Sequence, residues 1–473
     1  RSSNTNTPLT LLALTATANK QTQDDIINQL SNQENTTAIL RQSMDRPNLM
    51  LHTVNIKSTA EKLYVIQEII KKLSGSGLIY CATRDHTQLV NDFLNKNNIK
   101  SSAYHAGINP DYKRELQNDF INNKFQVIAA TNALGMGIDK ADLRYIIHFD
   151  MPGSITAYYQ EIGRAGRDGL PAYGILLFNE KDKKIQQHFI NSAQPSCDDF
   201  NNILTVIKQS EETLALIEIK RLTGLHPTRV LVVISELIEQ GFLEKKRVVG
   251  KQVYIDCNQS QNLNLDRYEN QHKARQQELT NILSYGHNNQ ATCLMATLRT
   301  SLGDKIIEPC QHCSYCKENI FYSNASALEL QEIEGWLDNQ SVVINLGQQK
   351  NCLQGKAVLN SKLRQPLFIE FMKQRQLPDI NLNKQLLELI KNDIKILKNN
   401  NLVAIVCIPS RTWGQKDFVA DFLSQELDIP IITNCLEWLN LPNNRQGELL
   451  NNDQRRFNVK ENMAAQFKET MPV

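Results

Sequence analysis

A chain of 473 residues exceeds one typical domain and should divide into about three to five. Its 41% apolar and 22% charged residues are ordinary for a globular protein, and no run of about 18 apolar residues suggests a membrane span. A net charge of +2 does not announce a nucleic-acid partner, and ten cysteines without a signal-peptide layout argue against a disulfide framework and for a cytoplasmic setting.

The first 50 residues hold one strand-like run, LTLLALTATA (9–18), and a helical stretch, QTQDDIINQL (21–30). One such unit cannot make a domain, so this looks like the tail of an α/β domain. With Arg1 in place of an initiator Met, the expectation is a fragment. Between 51 and 180, the runs GLIYCA (77–82), FQVIAAT (125–131), RYIIHFD (144–150) and GILLF (174–178) have strand length. EKLYVIQEIIKKL (61–73) and DHTQLVNDFL (85–94) have helical spacing. The alternation predicts a parallel sheet covered on both faces, with ligands at the carboxyl ends of its strands.

Residues 211–256 change character. ETLALIEIKRLTGL (212–225) and HPTRVLVVISELIEQGFL (226–243) read as two helices broken at Gly224, with Pro227 at a helix start. EKKRVVGKQVYI (244–255) follows as a basic hairpin turning at Gly250, which completes a winged-helix order. Lys245, Lys246, Arg247 and Lys251 supply local positive charge; a charge run by itself is more often a solvated surface, but beside a helix–turn–helix pattern it favours DNA contact. The Asn- and Gln-rich tail keeps a pattern: a helix over 384–400, the strand LVAIVCIPS (402–410) and a helix over 417–427.

Two motifs carry chemistry. In QEIGRAGRDG (160–169), Arg164 and Arg167 lie three apart, on one face if helical, and Gly163 and Gly166 permit a close approach. Two guanidiniums aimed at one point suit a triphosphate. Cys293 followed by Cys310, Cys313 and Cys316 has the spacing of a structural zinc site, with all four ligand positions filled.

These motifs resemble a known family. QEIGRAGRDG is similar to the last motif of superfamily 2 helicases in its RecQ form. IAATNALGMGIDKADLRYIIHFDMP (128–152), LIYCATR (78–84), YHAG (104–107), LALTATA (11–17) and DRPNL (45–49) resemble further RecQ motifs in the family's order. EPCQHCSYC, with the helices from Arg267 to Leu302, resembles the RecQ zinc domain. The resemblance implies an ATP-dependent 3′ to 5′ DNA helicase of recombination and repair that uses ATP, Mg²⁺ and Zn²⁺. It makes Arg167 the arginine finger with Arg164 and Gln160 as companions, and puts Gly137 and Asp139 near the nucleotide cleft. Thr131, Arg84 and His105 would touch the DNA backbone, and Thr15 and Thr17 would couple cleft to track. Tyr268, Lys273 and Arg275 are further candidates on the helical hairpin, where a solvated face is an equal reading.

Two departures qualify this. No GxxxxGK[ST] or DExH pattern is present, so this stretch should not turn over ATP unaided. The winged-helix-like segment also precedes the zinc cysteines, the reverse of the familiar order. IPSRTWGQKDFVADFLSQEL (408–427) with RQGELLNNDQRRFNV (445–459) is similar to ComF-like phosphoribosyltransferases, without their acidic loop. The expected architecture is therefore α/β multidomain. It runs from a remnant of a first RecA-like domain with a hinge (1–50) to a second RecA-like domain (51–190) and a winged helix (191–258). A helical hairpin with Cys₄ zinc (259–330) and a partial transferase-like α/β piece (331–473) complete it. The rival reading is a non-catalytic nucleic-acid-binding protein.

Overall fold

The computed structural model describes residues 12–15, 20–30 and 38–340, apart from 136–138, 249, 260, 289–291, 305–307 and 318, together with parts of 342–465. The chain divides into two compact units, Arg1–Asn191 with His272–Glu334, and Ser192–Gln271 with Gly335–Val473.

The first unit begins with helix α1 (Lys20–Leu30) and is built on six parallel strands. These are β1 (Leu49–Asn55), β2 (Ser76–Tyr80), β3 (Ser101–Tyr104), β4 (Val127–Ala130), β5 (Leu143–His148) and β6 (Ala172–Phe178), in the order β1-β6-β5-β2-β4-β3. Helices α2 (Thr59–Lys72), α3 (Arg84–Lys96), α4 (Pro110–Ile121), α5 (Ile155–Ile162) and α6 (Lys183–Ala193) connect or follow them. Each connecting helix has a start signal. Ser58, Thr83 and Ser154 accept from the N–H three residues on, and Asn109 precedes Pro110. Leu78, Ile79, Val127, Ile128, Ile146 and Ile147 are fully buried, as central strands covered on both faces require.

The strand expected over 9–18 is not borne out where it can be seen. Leu12–Thr15 are coil, with Leu12 and Leu14 exposed. A strand needs neighbours for its backbone N–H and C=O groups, and none of the described strands pairs with these residues.

In the second unit, α7 (Cys197–Gln209) precedes β7 (Leu214–Ala215), α8 (Leu216–Thr223), α9 (Pro227–Glu239) and the hairpin β8 (Leu243–Val248) and β9 (Lys251–Asp256). Two helices followed by a hairpin were expected over 211–256 and are present; α7 and β7 ahead of them were not, and 212–225 needs a correction. Leu214 and Ala215 pair with β9 before the helix begins, so that helix is shorter than its apolar pattern. Phe200, Ile203, Ile219, Val230, Val233 and Leu237 form the core beneath the hairpin. Gly224, at φ +70, ends α8 in the left-handed conformation.

The chain returns to the first unit through α10 (Asp266–His287) and α11 (Leu294–Ser301). Leu279, Ile282, Leu294 and Leu298 join the core of the parallel sheet. The tail carries α12 (Ala327–Asp338), β10 (Val342–Ile344) paired with β11 (Gly355–Ala357), α13 (Pro366–Gln374) and α14 (Lys384–Leu397). Then β12 (Ile405–Val406), α15 (Phe418–Leu427) and β13 (Ile431–Ile432) form a small parallel β-α-β unit. The segments that carry the transferase resemblance fall partly outside the described residues. Among the described residues, no helix is long and apolar enough to cross a membrane.

Candidate active site

Because the strands are parallel, the residues that follow them gather at one end of the sheet and those that precede them at the other. The sequence candidates divide between these ends. Arg84, His105 and Thr131 follow β2, β3 and β4, whereas Asp139 precedes β5, and Arg164 and Arg167 precede β6.

The arginine motif is a turn. Helix α5 stops at Ile162, and Gly166 adopts φ +60, so Arg164 and Arg167 do not share a helical face. Arg164 is half-buried beside Tyr80. Burial pushes that phenol well up, and the Arg164 charge opposes the shift. Arg167 is exposed, and its Nη1 donates to Asp139 Oδ1 at 2.6 Å. The structure thus joins two candidates drawn from different motifs. Gln160 is exposed near the end of α5, while Gly137 and Thr17 lie outside the described residues and Thr15 is exposed coil.

What holds the turn was not singled out from the sequence. The Arg46 guanidinium donates to the carbonyls of Gly163, Ala165 and Gly166 at 3.0, 2.9 and 3.2 Å. Asn48 Nδ2 donates to Gly166 O at 2.7 Å and to Leu170 O at 2.9 Å. A planar five-donor fork suits several carbonyls at once in a way an ammonium does not. A Cβ at position 166 would sit 2.6 Å from Asn48 Nδ2 and 2.8 Å from Leu170 O, so this packing requires glycine twice over. The available signal was DRPNL itself, which the resemblance marked only as a hinge.

At the carboxyl end, Arg84 and His105 flank Gly107, where a Cβ would lie 3.0 Å from Arg84 Nη1 and 3.2 Å from His105 Nδ1. The His105 ring accepts from the Gly107 N–H. Burial first, then the charges of Arg84 and Lys113, hold its pKa below the ordinary value and so favour the neutral ring. Lys113 is a second cation here, beside Arg84, that the sequence did not single out; it donates to Ala106 O at 3.1 Å. Thr131 is buried, and its hydroxyl accepts from the Ala133 N–H at 3.4 Å, a local capping arrangement.

Beneath this end lies a buried charge cluster that the sequence reading also missed. Lys62 Nζ donates to both carboxylate oxygens of Asp182, at 3.0 and 2.8 Å, and lies 3.6 Å from Asp150. Asp150 also accepts from the Ala82 N–H at 2.8 Å and lies 2.7 Å from His86 Nδ1. Burial works against the Asp150 charge, but His86 and Lys62 overcome it and hold the pKa at about 2. Burial lowers His86, yet Asp150 raises it overall; Asp182 is pushed up by burial.

The four cysteines converge. Their sulfurs lie within 4.8 Å of one another, with Cys313 at 3.9 Å from Cys293 and 3.6 Å from Cys316. A tetrahedral zinc with Zn–S of about 2.3 Å sets sulfurs about 3.8 Å apart, so the quartet fits. Within the quartet, a hydrogen bond from Cys310 holds the Cys313 thiol down, while the same bond raises Cys310 and burial raises Cys316. The knuckle also covers the outer edge of the sheet, since the Ser314 N–H donates to Leu51 O of β1 at 2.9 Å.

On the hairpin, Lys245, Lys246 and Arg247 are exposed on the edge strand β8, and Lys246 pairs with Glu244 at 3.0 Å. Charged residues on an edge strand also prevent unwanted pairing, so their position alone does not decide for DNA. Tyr268 is corrected as a candidate: it is buried, and its hydroxyl donates to Glu236 at 2.8 Å. Its ring completes the second unit's core, which outweighs exposure for a DNA contact. Lys273 and Arg275 are exposed, with Arg275 at 3.9 Å from Glu278.

Residues 61–169 match the family model of the helicase conserved C-terminal domain. A protein of Bacillus subtilis named "Probable ATP-dependent DNA helicase RecS" is 38% identical over 203 residues, 43% of this chain and 40% of that protein. The RecQ-like DNA helicase blm-1 of Caenorhabditis elegans is 37% identical over 212 residues, 44% of this chain and 21% of its own. The ATP-dependent DNA helicase RecQ of Bacillus subtilis is 35% identical over 184 residues, 39% and 30%. The aligned part thus spans at most 40% of these relatives' length.

Proposed function

We propose that this chain, which carries a RecQ-type helicase C-terminal domain, supplies one face of the ATP site and part of the DNA track of an ATP-dependent DNA helicase. One observation carries the reading: the matched segment ends on a turn pinned at four carbonyls, from which Arg167 projects into solvent. Its pair with Asp139 is exposed, and such pairs contribute only about 0–1 kcal/mol. The more highly charged triphosphate would therefore win Arg167 from Asp139. In the transition state an arginine on the transferring phosphoryl group is worth about 10³–10⁵ in rate, roughly 4–7 kcal/mol, well above what the pair with Asp139 contributes.

In this reading Mg²⁺ and a phosphate-binding loop belong to the opposite face of the site. Arg84, His105 and Lys113 would hold strand phosphates without reading sequence, with Thr131 beside them. Lys245, Lys246 and Arg247 would meet duplex DNA, and the Cys₄ zinc would be structural. The finer features that go with the reading are 3′ to 5′ polarity, a role in recombination and repair, and a cytoplasmic or chromosome-associated setting. The test is Arg167→Ala in the full-length protein. DNA-stimulated ATP turnover should fall by about 10³-fold or more while DNA binding persists. Full turnover in that variant would sink the reading and favour a non-catalytic nucleic-acid-binding module.

A further inference from the structure

We infer that Arg299 and Asp304, on the metal-binding hairpin, are positioning residues for the arginine turn, acting through residues 43–46. The inference rests on the ATP-site reading of Arg167 and deepens it. Arg299 Nε donates to Asp304 Oδ2 at 2.9 Å, and the same guanidinium donates to Ser43 Oγ at 3.1 Å and lies 3.6 Å from the Asp45 carboxylate. Asp304 Oδ2 accepts from the Met44 N–H at 3.2 Å. Both side chains are largely buried, at 15% and 8% exposure, where charge-assisted hydrogen bonds are least weakened by water.

From this pair the bonds run on without a gap. Asp45 Oδ1 accepts from the Arg46 N–H at 3.1 Å, and Tyr159, on α5, donates its hydroxyl to Met44 O at 2.8 Å. Arg46 then grips the turn by the three carbonyls described above. At its other end, α11 is capped by Cys293, whose sulfur accepts from the Ala296 N–H at 3.4 Å. One side of this relay is therefore the cysteine cluster, and the other is the backbone that carries Arg167. Loosening it need not unfold the domain, because the parallel strands keep their own ladder. A shift of about 1 Å in a catalytic group can cost about 10²-fold in rate, so a soft anchor is enough to matter.

The test uses the full-length protein with Arg299→Ala, Asp304→Asn, Arg46→Ala and Arg46→Lys, read by hydrogen exchange and by ATP turnover. The Gly166 and Asp168 amides, bonded to Leu143 O and Ala141 O, report on the turn. Exchange over 163–172 should rise about ten-fold in Arg299→Ala and Arg46→Ala, with 76–80 and 143–148 unchanged. Turnover should drop about 10²-fold at unchanged KM for ATP, and Arg46→Lys should recover little, since one ammonium cannot span three carbonyls. A rise confined to 292–304, or a rise in every segment alike, would overturn the inference. Arg167→Ala keeps the relay, so full turnover there would overturn the ATP-site reading while the exchange data still decide on the relay.

Discussion

Arg167 and Asp139 stand 2.6 Å apart at the amino-terminal end of the sheet, each from a different motif and each open to solvent. The pair is held from behind. The Arg167 backbone belongs to a turn anchored by Arg46 and Asn48, so its guanidinium can change partners without the turn having to form anew.

Gly166→Ala should destabilise the first unit by about 1–3 kcal/mol, because the new methyl meets Asn48 and Leu170 in a left-handed backbone. Gly169→Ala is the control: its φ is +80, but nothing lies within 4 Å of the added carbon. Urea unfolding should place Gly169→Ala nearer the parent. Equal losses for the two would mean that the packing at 166 contributes nothing.

Fresh, reduced protein should contain one zinc per chain bound by the Cys293, Cys310, Cys313 and Cys316 quartet, and Cys313→Ser should lose it. Since the knuckle covers β1 through Ser314, the metal-free variant should expose a strand edge and aggregate. Metal analysis and light scattering check both parts. A soluble, zinc-free parent would contradict the assignment.

Lys62→Met should cost about 3–5 kcal/mol, since it takes from buried Asp182 its charged partner and leaves Asp150 with His86 alone as counter-charge. The pH dependence has a definite sign. His86 is raised in the fold, so its contribution is complete below 6.5 and is lost as pH climbs past its raised value. Asp150, held at about 2, stabilises above 3.8 and loses that as pH falls toward 2. Asp182 is raised and works the other way, favouring the fold below 3.8. His86→Ala should therefore flatten the loss on the alkaline side of 6.5 in unfolding measured across pH. An unchanged slope would exclude His86 as its source.

The parts legible in the sequence are those whose signal is local. The cysteine quartet was readable because three ligands share one CxxCxxC stretch, and the central strands because they are continuous apolar runs. β1 was not, since LMLHTVN mixes polar residues into an edge strand, and β3 is four residues of which two are serine. Lys62 looks in sequence like one more surface charge on an amphipathic helix; its partner Asp182 lies 120 positions away. Arg46 is hidden for the same reason, with its carbonyl acceptors 117 to 120 positions distant. The two helices and the hairpin of 211–256 were visible from turn residues alone, at Gly224, Pro227 and Gly250.

The six strands, four to seven residues long, make a stiff plate about 13–23 Å deep, with the arginine turn on one rim and Arg84, Lys113 and the His105 ring on the other. A tilt imposed at either rim must reappear at the opposite one, because strands buried on both faces cannot shorten or slide independently.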